Sequence, residues 1–187
     1  LPLYLTQALS GVVFISLGPL LDSILRDLGI PLARGGVLSL GFFLGLVVGL
    51  LAVNLLFARV PVKWCLVGAA LLQAAGLAGA GLLARGLWSF LVPFLFAGFA
   101  EVLLAAIPGM WLSTHVKEGT ARALTLMMIA SVSTMTATPV VLGVLLDAGA
   151  GWRVILGGEA VLSLLGAAVL ALLPLAGRPH PPGHVRQ

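Results

Sequence analysis

The chain has few charged residues for its length. Asp, Glu, Lys and Arg make up 9% of its 187 residues, whereas 60% are hydrophobic, and the mean hydropathy is +1.18. A soluble globule of this size would not have enough polar side chains to cover its surface. The composition therefore excludes an ordinary soluble domain and indicates that lipid is the main solvent.

Cysteine and histidine are scarce as well. The single cysteine, Cys65, excludes a disulfide framework and any CxxC redox or zinc motif. His115 falls in a predicted connector and His180 and His184 in the C-terminal tail, so none can reach a buried serine from within a helix. The sequence also has no HExxH motif and no glycine-rich phosphate loop. We therefore predict that the chain is not an enzyme, with no catalytic residue, no metal and no cofactor.

What the sequence does have is long apolar runs. A helix needs about 20 apolar residues to cross a bilayer, because its backbone must satisfy its own hydrogen bonds there. Six runs meet this length, and the short connectors between them hold most of the charges. The predicted spans cover residues 3–21, 36–57, 64–83, 88–112, 123–146 and 154–173. We predict a transmembrane bundle over residues 1–176, followed by a proline-rich cytoplasmic linker or tail over 177–187.

The net charge of +4 follows the ends of these runs. In a soluble domain it would suggest nucleic acid, but thinly spread Lys and Arg beside apolar runs are typical of membrane topology signals, so we predict no nucleic-acid partner. With a cytoplasmic N-terminus, the inside set is Arg59, Lys63, Lys117, Arg122, Arg178 and Arg186. The outside set is Arg26, Arg34, Arg85 and Arg153. We predict a multi-pass protein of the cell membrane with both termini in the cytoplasm.

The second span carries a stripe of small residues. Gly41, Gly45 and Gly49 recur at four-residue spacing, so they lie on one face of a helix. Small residues in membrane helices let another backbone approach closely. The stripe predicts close helix packing.

Glu101 is the leading candidate for chemistry. It lies about 13 residues into the fourth span, near the middle of the bilayer. An ionisable residue there costs roughly 2.5–3.5 kcal/mol to insert, so it usually faces a cavity or a partner. We expect Glu101 to gain and lose a proton and so couple proton flow to solute movement. The alternative is a protonated carboxyl bonded to a neighbouring helix, such as to Ser or Thr of the fifth.

The first span offers a polar face that would lie opposite Glu101. Gln7, Ser10 and Phe14 follow three- and four-residue spacing, and Tyr4 stands near the entrance. We predict that these residues line a substrate cavity, with hydrogen bonding between helices as the alternative. For the second acid within a span, Glu159 in the sixth, we expect an interfacial or lipid-facing contact, with a substrate role as the alternative. Asp27 is expected to be an ordinary solvated charge.

Several local motifs resemble the N-terminal half of the major facilitator superfamily. Arg59 and Lys63 fit two basic positions of its cytoplasmic GxxxDRxGRK loop between helices two and three, where Asn54, Ala58 and Pro61 replace Gly, Asp and Gly. The connector at 151–153 has the sequence GWR found before helix six of the family. The loop at 118–122 is similar to the family's helix four to five loop.

The resemblance implies an all-α integral membrane fold of six helices, arranged as two three-helix inverted repeats. Helices one and four would line a central cavity. It further implies a second six-helix half, supplied by a continuation of the same chain or by a homodimer partner.

The function that follows is secondary active transport of a small-molecule substrate by alternating access, with proton coupling. The bilayer and the second half are the other predicted partners. The rival prediction is a six-helix substrate-capture subunit or small channel that works with separate proteins. A reading frame that continues past Gln187 into six more apolar segments would favour the transporter.

Overall fold

The computed structural model describes residues 2–116 and 118–173. Over these residues the chain forms six long α-helices and one 3-10 turn, Leu32–Arg34, with no β-strand. The helices are α1 Pro2–Asp27, α2 Gly35–Arg59, α3 Val62–Leu83, α4 Leu87–His115, α5 Thr120–Asp147 and α6 Trp152–Leu172. Each is long and apolar enough to cross a membrane. This confirms the predicted all-α integral membrane fold with six transmembrane helices.

The outer surface of the bundle is apolar. Long hydrophobic side chains on every helix remain exposed, among them Leu51 on α2, Leu82 on α3 and Val140 on α5. Buried polar side chains lie inside instead. A lipid solvent favours this distribution. Lipid tails solvate apolar side chains on the outside, and they offer no hydrogen bonds, so polar side chains must find partners inside the bundle.

The end of α1 differs from the prediction. The helix continues past residue 21 to Asp27, and its last turns carry the ion pair of Asp22 with Arg26. Charged residues four apart are compatible with a helix that leaves the membrane. The stop is Gly29, whose φ of 63° is left-handed. The Ile30 N–H bonds back to the Leu25 carbonyl at 2.9 Å, which is the pattern of a glycine-terminated helix.

The helices pack in a fixed set of pairs. α2 packs on α4, α4 on α3, α3 on α6, and α1 on α5, while α1 also contacts α4 and α6. α1 and α4 therefore lie at the centre, with α2 and α5 at their flanks and α3 and α6 behind them. In two inverted repeats, α1, α2 and α3 correspond to α4, α5 and α6. The contact of α2 with α4 then corresponds to the contact of α5 with α1, and both are present, so the packing is consistent with the inverted repeats.

Glycines set the two flanking contacts. The predicted stripe on α2 is buried against α4, where a Cβ on Gly45 would run into the Leu95 carbonyl and the Phe99 N–H. Gly98 of α4 is its counterpart, because a Cβ there would meet the Phe42 carbonyl. On the other flank, a Cβ on Gly11 of α1 would strike Thr134 and the Ser131 carbonyl of α5. Backbones approach this closely only where side chains are missing.

Arg153 joins three helices at one end of the bundle. Its guanidinium donates to the Asp27 carboxylate at the end of α1, with Nη2 at 3.0 Å, and to the Gly81 and Ala84 carbonyls at the end of α3, at 2.9 and 2.8 Å. It also lies 4.4 Å from the ring centre of Trp152, whose indole N–H donates to Asp27 at 3.1 Å. Asp27 is exposed at a helix end, as expected, but it is not an ordinary solvated charge, because folding brings the GWR segment beside it.

The predicted tail at 177–187, together with the last residues of the predicted bundle, lies outside the described residues.

A leucine at Gly45 is expected to disrupt the α2–α4 contact. The side chain would enter the α4 backbone, so the loss of stability should reach or exceed the about 1–3 kcal/mol of an overpacked core. Thermal unfolding of the detergent-solubilised protein measures it. Gly68→Leu is the matched control, because a Cβ on Gly68 meets no atom within 4 Å. Equal melting temperatures for the two variants would contradict the close packing.

Arg153→Lys is expected to lower stability by about 1 kcal/mol or more, because an ammonium cannot reproduce the planar fork that spans Asp27 and two carbonyls. Asp27→Asn retains acceptors and removes only a half-exposed ion pair, so it should cost less than about 1 kcal/mol. Thermal unfolding of both variants tests the order of these effects, and the reverse order would show that the ion pair dominates.

Candidate functional site

The carboxyl of Glu101 lies at the centre of the bundle. Glu101 is near the middle of α4 and is 2% exposed. The Ser10 hydroxyl of α1 donates to its Oε1. The Gln73 amide of α3 donates to its Oε2 at 2.9 Å. Both oxygens of one acid are therefore bound by side chains from two other helices.

Gln73 is itself held in place by a fourth helix. The Ser163 hydroxyl of α6 donates to the Gln73 Oε1 at 3.2 Å, which leaves the amide N–H directed at Glu101. Gln73 and Ser163 are both fully buried. Four side chains, one each from α1, α3, α4 and α6, thus form one continuous polar network in an apolar bundle.

The two partners of Glu101 differ in what they can do. An amide N–H only donates, so in this orientation Gln73 matches a carboxyl oxygen without a proton. A serine hydroxyl can donate or accept, so Ser10 can reverse its bond when the carboxyl gains a proton. If the carboxyl takes up a proton, the arrangement therefore favours Oε1, between α4 and α1, and keeps Oε2 as the acceptor from α3.

The structure brings two of the four candidate residues of α1 to this region. Ser10 contacts the Glu101 carboxyl directly. Gln7, one turn away, donates from Nε2 to the Ala105 carbonyl of α4 at 2.7 Å. The partners of Glu101 come from α1 and α3, not from a Ser or Thr of the fifth helix, because α5 packs on α1 and makes little contact with α4.

Phe14 and Tyr4 do not reach Glu101. Phe14 is 41% exposed and meets Phe42 of α2 edge to face, with ring centres 6.2 Å apart. It therefore lies on the open side of α1 that faces α2. Tyr4 is half-buried and packs against the apolar cluster at the other end of the bundle, beside Leu3 and Val53. Phe14 is exposed, and Ser10 lies one helical turn from it.

Glu159 is a second acid that the sequence analysis placed wrongly. It is 5% exposed rather than lipid-facing, and its Oε2 accepts from the Ser16 hydroxyl of α1 at 3.2 Å. The contact arises because α6 packs against both α1 and α3. Gln73, Ser163 and Glu159 share one signal that the sequence offered, a polar residue well inside an apolar run.

The predicted loop motif between α2 and α3 lies at a very short connection. α2 ends at Arg59 and α3 begins at Val62, so two residues connect them. Lys63 lies 5.9 Å from the ring centre of Trp64. Within the described residues neither Arg59 nor Lys63 forms an ion pair.

The described residues contain no cluster of metal ligands. Over residues 2–116 and 118–173, no three His, Cys, Asp or Glu side chains come together in a way that could hold a metal ion. The network around Glu101 is built from one acid, one amide and two hydroxyls, which suits proton exchange and hydrogen bonding.

Comparisons with known proteins support one family. A family model described as the Major Facilitator Superfamily matches residues 3–187. No curated protein and no solved structure matches the chain.

Gln73 and Glu101 are expected to depend on each other energetically. Gln73→Leu leaves Glu101 Oε2 without its donor, whereas Gln73→Leu together with Glu101→Leu removes both polar groups. Thermal unfolding of the two single variants and the double variant should give a coupling of about 0.6–1.7 kcal/mol, the range for hydrogen bonds between membrane helices.

Ser89 supplies the control for this cycle. It lies about 18 Å along α4 from Glu101, and its hydroxyl bonds within its own helix start. Gln73→Leu and Ser89→Ala should therefore act additively. A coupling of zero between Gln73 and Glu101 would show that their contact does not stabilise the protein.

Proposed function

Because the chain belongs to the major facilitator superfamily, a family of membrane transporters rather than enzymes, we propose that it forms one half of a secondary active transporter that moves a small solute by alternating access. We further propose that transport is coupled to protons through Glu101. The observation that carries the coupling is a buried carboxyl near the middle of α4, bound by donors from two other helices.

Protonation of Glu101 would change how α1 and α4 are joined. The unprotonated carboxylate accepts from both Ser10 and Gln73 and attracts each through charge-assisted hydrogen bonds. A proton on Oε1 would neutralise the group, reverse the Ser10 bond and weaken the tie between the two central helices. A carboxyl in this position acts as a switch that biases one packing of α1 and α4 over another.

Solute contact can reach this switch along α1. Phe14 is the exposed candidate for a substrate contact, and Ser10 lies four residues before it on the same helical face. A solute that moves α1 at Phe14 therefore moves the hydroxyl that binds Glu101. This geometry supports Ser10 as the residue that links substrate binding to protonation, while Gln7 holds α1 and α4 together one turn away.

The proposed second six-helix half is supported by the surface of α5. Over the described residues α5 has three buried positions, Met127, Thr138 and Leu142, fewer than any other long helix. Ser133 and Thr136 are exposed beside Val132 and Val140 on this surface. Hydroxyl groups favour protein or water over lipid. A second half, from the same chain or a homodimer partner, would cover these hydroxyl groups. We place the assembly in the cell membrane, with both termini in the cytoplasm.

Replacement of Glu101 by Gln is expected to preserve the fold and abolish proton-coupled accumulation, because the amide cannot take up or release a proton. The full-length protein is reconstituted in liposomes with an inward proton gradient. A panel of labelled sugars, amino acids, nucleosides and organic ions then identifies the solutes that the wild type concentrates. Accumulation of these solutes by Glu101→Gln should fall to the level of empty liposomes.

Glu118→Gln is the matched control, because this carboxyl is exposed in the loop before α5. It should accumulate the same solutes as the wild type. Full proton-driven accumulation by Glu101→Gln, with a normal melting temperature, would contradict the proposed coupling. Downhill flux that ignores the proton gradient in the wild type would instead favour a channel.

A further inference from the structure

A cavity of about 500 Å³ opens between α5 and α6, and none of the four side chains of Glu101's network lines it. Val12 of α1 contributes to its lining, and the walls are almost entirely apolar. Val141 and Leu145 of α5 face Val154 and Leu162 of α6 across it, and all four are exposed on the outer surface of the bundle. Its volume is that of a typical small-molecule pocket, and its rim is open along α6, where Val154 and Leu162 are exposed.

Glu159 is the ionisable residue in the lining of this cavity. Its Oε2 accepts from Ser16, but its Oε1 is buried and has no hydrogen-bond partner within the described part of the chain. A buried carboxyl oxygen without a donor is costly, and an uncompensated charge in apolar surroundings costs several kcal/mol. Glu159 therefore lacks a donor or a cation that the cavity could admit.

The other polar groups of the cavity have no hydroxyl hydrogen left to donate to a ligand. Thr138 and Thr134 line it, but the Thr138 hydroxyl donates to the Thr134 carbonyl at 2.7 Å and the Thr134 hydroxyl to the Ser131 carbonyl at 2.8 Å. Each hydroxyl thus has only lone pairs left for a further hydrogen bond. A ligand that fits must bring the N–H or O–H groups itself.

Among the described residues of α1, α5 and α6, no cation supplies the missing charge. The basic residues of the three helices around the cavity are Arg26 at the end of α1, Arg122 at the start of α5 and Arg153 in the first turn of α6. Arg26 pairs with Asp22, and Arg153 is bound to Asp27. Arg122 lies at the opposite end of α5 from the cavity wall, which begins at Thr134.

We propose that this cavity, with Glu159 at its base, binds a lipophilic primary amine, an alkyl chain that ends in an ammonium group. The chain occupies the apolar groove between α5 and α6 and enters from the bilayer on the α6 side, past the exposed Val154 and Leu162. The ammonium donates to Glu159 Oε1 and to the free lone pairs of the threonines, and its charge balances the carboxylate. This site is separate from Glu101, so it does not depend on the proposed proton coupling.

The proposal is tested with a photoreactive dodecylamine, added to the full-length protein in nanodiscs. Labelling should appear on peptides of α5 and α6 and should saturate. Glu159→Gln removes the charge but keeps an acceptor for Ser16, so the Kd for the amine should rise about tenfold or more, which corresponds to about 1.4 kcal/mol. A photoreactive dodecanol, which has the same chain without the charge, should bind the wild type more weakly than the amine.

A pair of adjacent glycines provides the matched variants. Gly158 lines the cavity and Gly157 does not, and a Cβ at either position meets no atom within 4 Å. Gly158→Leu should fill the groove and abolish saturable labelling with Glu159 intact, whereas Gly157→Leu should label like the wild type. The Gly158 variant keeps the test valid if Glu159→Gln fails to fold, as melting temperature and gel filtration would reveal.

Equal labelling of the wild type and a folded Glu159→Gln would overturn the proposal. So would equal affinity for the amine and the alcohol, because the groove would then bind any acyl chain of the membrane. Labelling that Gly158→Leu leaves unchanged would place the amine elsewhere and would also overturn it.

Discussion

The structure depends on the burial of one carboxyl group. Glu101 is 2% exposed near the middle of α4, so its two oxygens need donors from other helices, and Ser10 and Gln73 supply them. Ser163 then fixes Gln73. A group that is expensive to bury thereby specifies how α1, α3, α4 and α6 are arranged. The same expense makes its protonation state matter to the packing.

Around this polar centre the helices make contacts of a different kind. Gly45 with Gly98 on one flank, and Gly11 on the other, allow backbones to touch, and dispersion forces hold them. Such contacts are specific to the positions of the glycines, because a side chain in their place would enter the neighbouring backbone. The bundle thus combines closely packed flanks with a hydrogen-bonded centre, and in the proposed mechanism it is the bonds of the centre that change.

The sequence predicted what hydropathy determines. Six apolar runs specified six helices, and an isolated acid within one of them identified Glu101. The end of α1 was placed six residues early, because charge suggested a loop and the stop is set by the backbone of Gly29. Hydropathy also does not tell which way a side chain points around a helix. Glu159 was therefore placed towards lipid, and the role of Gln73 beside Glu101 became evident only from the packing of α3 on α4.

The contact of Arg153 with Asp27 joins residues 126 positions apart. A membrane protein is inserted from its N-terminus as it is synthesised. While α4 and α5 are being made, Asp27 and the carbonyls at the end of α3 therefore have no Arg153 to bind. Only the arrival of α6 brings the guanidinium that satisfies both. The last helix of the bundle is therefore also the one that closes it, and a chain interrupted before α6 would expose unmet acceptors to the cell's quality control.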